Sequence, residues 1–456
     1  MKRLAHYLER YLAGPALITE APSQKLRGIV VIPCYDEPDW ATTLDSLLSA
    51  QPVLEVDHEI LLEVNASQTS PQAVMKHQKA TLREAHAYAS QRLDASRRIH
   101  VIPSLDLAPK HAGVGWARKI GMDEGLRRLA LANALDCGYL ICLDADCTVR
   151  EDYFRAIHDH FQQDIKTPGC SLHFEHVLAD APSQKHRLAA AAYECHLRYY
   201  VEALRFAGFP HAYHTIGSAM AVRPEAYMKQ GGMNRRKAGE DFYFLNKIML
   251  LGNFSECLST VVYPSPRASQ RVPFGTGQAV LKNMQQSQIT TYAWNSFLEI
   301  KATLAYLQQQ NPLNLLKGRD SRHIGYSEAF QAYLDSGDQW HALGRCGKDA
   351  RNVSTYHRNL FAWFDGFQCM KYLHFLRDHG YPDTPLKEAL VSLRKAIRPS
   401  TPFGTLQTEL LWLQKRQQTP WLSRCLDPPK TLTQKKRINL SLQLMKASNR
   451  LQGPAG

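Results

Sequence analysis

Apolar and polar positions in this 456-residue chain follow two regimes, and the change falls near residue 280. Before it, short unbroken apolar runs alternate with stretches of helical spacing. The runs are residues 29–32 in GIVVIPCYDEP, HEILLEVNAS ending at Asn65 and Ser67, RRIHVIPSLD from about Ile99, and residues 139–143 in GYLICLDADCTV. All four predict strands, and the last, which does not alternate, a strand covered on both faces as in parallel sheets. Pro33 is expected to end the first of them. Helical spacing follows Trp40 in ATTLDSLLSA, fills the polar stretch between the second and third runs, and returns in GWARKIGMDEGLRRLALANAL. Strand alternating with helix predicts a doubly wound α/β arrangement.

Further along, a helix is expected directly after the DAD triplet. SLHFEHV and STVVYP predict more strands, and RLAAAAYECHLRYYVEALRFAG a long helix. HTIGSAMAVRPEAYMKQGGMN predicts a short strand, a turn at Arg223-Pro224 and a short helix. RRKAGEDFYFLNKIMLLG predicts an amphipathic helix that starts at Glu240 and Asp241. Four regions result: an N-terminal helix and connector over 1–27, an α/β domain over 28–280, a mostly helical region over 281–426, and a tail over 427–456. The tail carries Lys430, Lys435, Lys436, Arg437, Lys446 and Arg450 and no acid. Such a tail suits peripheral contact with an anionic membrane.

Charge and composition narrow the function. Lys and Arg number 55 against 42 acids, a formal +13, which favours anionic partners. No run of eighteen apolar residues is present, and the first residues lack the apolar core of a signal peptide. The expectation is a cytoplasmic protein, with peripheral contact at the inner face of the membrane. Ten cysteines without a CxxC pair read as reduced thiols, and the spacing of Cys137, Cys142 and Cys147 does not match a zinc site.

The candidate chemistry sits where the apolar runs stop. Asp144 and Asp146 follow a buried strand, the position where open α/β sheets bind ligands. Hard cations such as Mg²⁺ and Mn²⁺ take one or two carboxylates together with phosphate oxygens. Gly113 and Gly115 precede a helix, with Lys110, Arg118 and Lys119 near its start, a combination that suits a phosphate. Arg267 and Arg271, followed by Gly275 and Gly277, could clamp a diphosphate. Each motif also has a plain reading: Glu240 and Asp241 can cap their helix, and the arginines can be a solvated turn.

Taken in order, these motifs resemble the family-2 glycosyltransferases of the GT-A fold. VIPCYDEP is similar to the family's opening strand, with Glu37 in its acidic position. GWARKIG resembles its Ala-Arg-Asn-x-Gly helix, with Lys119 where Asn is usual. DAD matches its metal-binding aspartates, and GED at 239–241 its catalytic acidic motif. The resemblance covers about residues 28–280 and departs at VNAS, where the family has two acids and a glycine that meet the base. QxxRW is absent, which speaks against a processive synthase.

The resemblance implies a Rossmann-like, mainly parallel mixed sheet with helices on both faces. It implies an inverting transfer of sugar from a nucleoside-diphosphate sugar to a hydroxyl acceptor, assisted by Mn²⁺ or Mg²⁺. Asp144 and Asp146 would hold the metal, and Asp241 would be the base, with Glu240 able to share or replace that role. Pro33, Tyr35, Glu37, Asn65, Lys110, Arg118, Asp144, Arg267 and Arg271 would meet the nucleotide-sugar. The acceptor, whether glycan, lipid-linked or small molecule, is not specified, and nucleic acid is not expected as a partner. Two rivals stand beside this reading: a sugar-phosphate nucleotidyltransferase, which would release pyrophosphate, and a non-catalytic binder of anionic polymers, whose binding would fall steeply with salt.

Overall fold

A computed structural model describes residues 2–92, 94–271, 275–286, 288–309, 326–348, 350–398 and 403–421. The chain divides into two compact units. The first comprises Met1–Cys195 and Tyr213–Gln288, and the second His196–Ala212 and Ile289–Gly456.

The first unit is built on an eight-stranded sheet. In chain order the strands are β1 (Leu26–Cys34), β2 (Asp57–Ser67), β3 (Arg97–Leu107), β4 (Tyr139–Cys142), β5 (Cys147–Val149), β6 (Gly169–Phe174), β7 (Met220–Val222) and β8 (Ser255–Pro264). Their spatial order is β3-β2-β1-β4-β7-β6-β8-β5. β1 pairs in parallel with β2 and β4, β2 with β3, and β6 with β8, whereas β7 runs antiparallel to β4 and β6 and β5 antiparallel to β8. The sheet is therefore mixed and mainly parallel, as expected. The helices are α1 (Lys2–Arg10), α2 (Trp40–Ser49), α3 (Gln72–Gln91), α4 (Val114–Leu131), α5 (Tyr153–Gln163), α6 (Gln184–Ala207), α7 (Pro224–Lys229), α8 (Glu240–Met249) and α9 (Thr276–Gln285).

Both faces of the central strands are covered, which is why their sequences do not alternate. Ile29, Val31, Leu61 and Leu140 pack in one core with Met122, Leu126 and Leu129 of α4 and with Phe244, Leu245 and Ile248 of α8. On the opposite face the ring of His58 lies 4.5 Å from that of Phe154, and Tyr139 stacks on Phe161 at 5.1 Å, both partners from α5.

Pro33 does not end β1, which continues to Cys34. The reason lies in the pairing. Backbone groups of Val31 point toward β4, since its carbonyl accepts from the Leu143 amide. Pro33 shares that parity, but β4 pairs with β1 only up to Val31, so the missing N–H costs no ladder bond. The residues after DAD are also not all helix: β5 comes first, a three-residue strand held by β8.

Residues 7–20 are strapped along α4. Asp123 accepts from the hydroxyls of Tyr7 (2.6 Å) and Tyr227 (2.7 Å), from the Ala13 amide (2.7 Å) and from Lys119 (2.9 Å). Glu124 accepts from the amides of Leu17 and Ile18, and Arg128 donates to the Glu20 carbonyl.

The second unit is mostly helical in its described residues. Besides the last part of α6 it contains α10 (Trp294–Gln309), α11 (Glu328–Asp335), α12 (Gln339–Lys348), α13 (Val353–Trp363), α14 (Gly366–Asp378), α15 (Leu386–Ile397) and α16 (Leu406–Gln417). Thr290–Thr291 pairs antiparallel with Thr384–Pro385. Its core includes Phe330, Leu360, Phe364, Leu373, Leu390 and Leu413. A buried ion pair joins Arg394 of α15 to Glu409 of α16 at 2.6 Å. The basic tail expected over 427–456 lies outside the described residues.

Candidate functional site

The pairings bring the acidic motifs and the Arg267–Arg271 segment to one edge of the sheet. β1 and β4 are parallel, so Tyr35–Glu37 and Asp144–Asp146 leave the sheet on the same side. β7 is antiparallel to β4 and places Gly217 and Ser218 there as its approach. β6 and β8, parallel to β1 through β7, end at Phe174 and Pro264, and Arg267 and Arg271 follow.

Two arginine-centred groups form at this edge. In the first, Arg118, almost fully buried on α4, bridges Asp144 (2.5 Å) and Glu240. Glu240 is buried at the first position of α8, while Asp241 beside it keeps some exposure. Its carboxylate accepts from the Phe242 amide at 2.7 Å. Two glycines allow this. Gly239, with φ +68, turns the chain into α8 through the left-handed region that side chains avoid. At Gly217 a Cβ would stand 2.4 Å from Nη1 of Arg118, so only glycine leaves room for the guanidinium. Burial, opposed by Arg118 and reinforced by the nearby acids, pushes both carboxyls above their ordinary values.

In the second group Arg267 bonds Glu37 and Asp39 and lies 3.7 Å from Asp146, while Arg271 reaches Glu37 at 2.6 Å and the Asp36 carbonyl at 2.7 Å. Desolvation, then the charges of Asp144 and Glu37, push Asp146 up to about 6, against the pull of Arg267 and Arg271. The DAD turn is pinned by the Thr43 hydroxyl, which donates to the Ala145 carbonyl at 2.8 Å.

Asp144 and Asp146 keep 38% and 30% of their side chains exposed, so both can accept a ligand from solvent. Among the described residues no three His, Cys, Asp or Glu converge as a metal site. Two carboxylates still suit Mg²⁺ or Mn²⁺, which complete their shells with phosphate oxygens and water.

Other expected residues lie elsewhere. Arg118 spends its guanidinium on carboxylates rather than facing solvent, and Lys119 is buried against Asp123 and Tyr7. Gly113 and Gly115 approach protein, not open space: Cβ atoms there would meet Lys237 and the Arg236 carbonyl. The start of α4 is thus covered by the segment before α8. Lys110 is exposed, Pro33 buried and Tyr35 half-buried. Asn65 is buried at the end of β2. Its side-chain oxygen and both carboxyl oxygens of Glu63 lack a hydrogen-bond partner among the described residues. Burial pushes Glu63 well above the usual carboxylate range.

Sequence reasoning missed several groups. Gln78 of α3 donates to the carbonyls of Cys34 (2.9 Å) and Asn65 (2.7 Å), tying the ends of β1 and β2 together. A glutamine on the apolar side of a helix was the available signal. Asp39 and Gly217 carry no local signature. Tyr193 of α6 lies within the field of Asp241; burial first, then that charge, push its phenol up to about 12.

No protein-family model matches the chain, and no curated protein matches it in sequence. Solved structures give partial superpositions. One is Staphylococcus aureus TarS 1-349 in complex with UDP-GlcNAc, at 10% identity over 74% of this chain and 91% of that one, with a TM-score of 0.35. Another is the mannosyltransferase PcManGT from Pyrobaculum calidifontis in complex with GDP-Man and Mn²⁺, at 14% identity over 90% and 92%, with a TM-score of 0.30. At such scores the functional reading has to stand on the site itself.

Proposed function

We propose that the first unit is an inverting, metal-assisted glycosyltransferase of the family-2, GT-A type that uses a nucleoside-diphosphate sugar. The observation that carries this is the shared edge: a carboxylate pair after β4 and a second acidic pair at the start of α8, joined by one buried arginine. Separate helix caps have no reason to share a buried guanidinium.

Asp144 and Asp146 would hold the ion. When bound, a divalent cation neutralises the diphosphate as it leaves. Arg267, 3.7 Å from Asp146, is positioned to meet the same phosphates, because guanidinium matches phosphate oxygens. Asp241 takes the proton of the acceptor hydroxyl while that oxygen attacks the anomeric carbon and the bond to the diphosphate breaks on the opposite side. It suits this role better than Glu240, which is buried and tied to Arg118. Arg118 is then a positioning residue that fixes Asp144 and Glu240 rather than a phosphate ligand. Attack from the face opposite the leaving group inverts the anomeric centre.

The test is a panel of UDP- and GDP-sugars incubated with the full chain, with Mn²⁺ or with EDTA. At least one donor is expected to be hydrolysed in a divalent-dependent way and to raise the melting temperature. Pyrophosphate release from a nucleoside triphosphate and a sugar phosphate would instead establish the nucleotidyltransferase.

A further inference from the structure

Two guanidinium groups stand among the carboxylates of Glu37, Asp39 and Asp146. Glu37 is 5% exposed, and it draws in the guanidinium of Arg267 and, at 2.6 Å, that of Arg271. Arg267 also holds Asp39 and stands 3.7 Å from Asp146. Its positive charge therefore lies beside the carboxylate that the proposed reaction gives to the metal. A divalent ion on Asp146 would face a fixed like charge a few ångströms away. It would also weaken the pairing that holds buried Glu37.

Resting on the metal reading above, we propose that Arg267 is an internal counter-cation, which opposes ion binding at Asp146 until a diphosphate supplies negative charge to both. Ion and diphosphate then bind as a cooperative pair. Arg267 exchanges its carboxylate partners for phosphate oxygens, and Arg271, which also bonds Glu37 at 2.6 Å, keeps that buried carboxylate paired. The class of ligand that releases the site is a diphosphate: it carries enough charge for the ion and the arginine together, where a neutral sugar or a nucleoside carries none. The geometry also gives Asp39 a role. Its side chain is 61% exposed, and it anchors the far edge of the guanidinium, so that Arg267 stays beside Asp146 in the absence of ligand.

The test is Mn²⁺ binding to the full chain without nucleotide, followed by electron paramagnetic resonance and repeated with inorganic pyrophosphate. Wild type is expected to take up Mn²⁺ weakly alone and markedly better with pyrophosphate. Arg267→Gln should bind Mn²⁺ alone about tenfold more tightly, the scale of one charge-assisted contact, and gain less from pyrophosphate. Arg267→Lys keeps the charge and should stay closer to wild type than Gln does. Asp146→Asn should abolish uptake in every background. Equal Mn²⁺ affinity in wild type and Arg267→Gln, with Asp146→Asn still abolishing it, overturns the counter-cation and leaves the metal site standing. Mn²⁺ uptake that ignores Asp146→Asn, with or without pyrophosphate, overturns both. Melting curves of each variant show that it is folded; Arg267 is partly exposed, so its loss should leave them close to wild type.

Discussion

Arg118 is the residue on which the acidic edge depends. It is buried, it bridges carboxylates on two different elements, and a glycine makes its space. Breaking a buried pair by removing one partner strands the other charge, which is why this arginine tolerates little change. Gly217→Ala probes it without replacing an acid, at a position whose amide also bonds the Asp241 carboxyl. The new methyl would collide with the guanidinium and shift Arg118 away from Asp144 and Glu240. Donor turnover is expected to fall by up to about 10²-fold, as for a misplacement of about 1 Å near a reacting centre. Unchanged turnover in a folded Gly217→Ala protein would mean that Arg118 positions nothing the reaction needs. None of this was legible locally. The sequence places Arg118 near the start of a helix and beside glycines, a phosphate-like setting, whereas its partner Glu240 stands 122 positions away.

At the scale of elements, β1, β2 and β4 form the platform, and their register is locked on the face away from the site. The His58 ring of β2 packs on Phe154 and bonds the Tyr139 hydroxyl of β4 at 2.9 Å across β1. Burial first, then the charges of His158 and Arg97, push His58 down to about 3 from 6.5. Between those values the unfolded chain binds a proton that the folded chain refuses. Stability from this group is therefore complete above about pH 6.5 and is lost as pH falls toward 3. The loss runs at up to about 1.4 kcal/mol per pH unit. His58→Gln cannot titrate, so denaturant unfolding at a series of pH values should show a shallower acid decline than wild type. Parallel declines would place the proton uptake elsewhere.

These strands were also the most legible part of the chain. The apolar runs coincide with β1, β2, β3 and β4, and of these β3, at the end of the strand order, is only partly buried. β5 was not legible, because three residues held by one neighbour leave no periodicity to read. The covering of α4 by the segment before α8 was hidden for the same reason as the Arg118 pair: it is a contact between distant parts of the chain. Acidic pairs at strand and helix ends were visible, because position relative to an apolar run is local information. Which of them share an edge required the pairing of β7 and β6, and that order does not follow from hydropathy.

At the scale of the molecule, the chain joins a sheet-based unit, which carries all of the acidic motifs, to a helical unit in which none of them was found. The described residues include no helix long and apolar enough to cross a membrane. The described cysteines are free, and all but Cys137 are buried. The formal +13 suits an anionic donor, yet at the edge itself Arg118, Arg267 and Arg271 are all engaged by carboxylates, so a phosphate has to exchange partners with them. The division of labour proposed for that edge separates donor binding, at Asp144, Asp146 and Arg267, from proton removal at Asp241.

The measurement that addresses that division most directly is the comparison of wild type and Asp241→Asn with the best donor of the sugar-nucleotide panel. Turnover, donor affinity and melting temperature are read on the same preparations. Asn keeps the size and the bond from the Phe242 amide but removes basicity. The expected result is near-normal donor affinity and stability with turnover reduced by about 10²–10⁴-fold, the range of a positioned base. Near-normal turnover in Asp241→Asn, with Glu240→Gln equally active, would contradict it and leave the acidic pair as no more than the start of a helix.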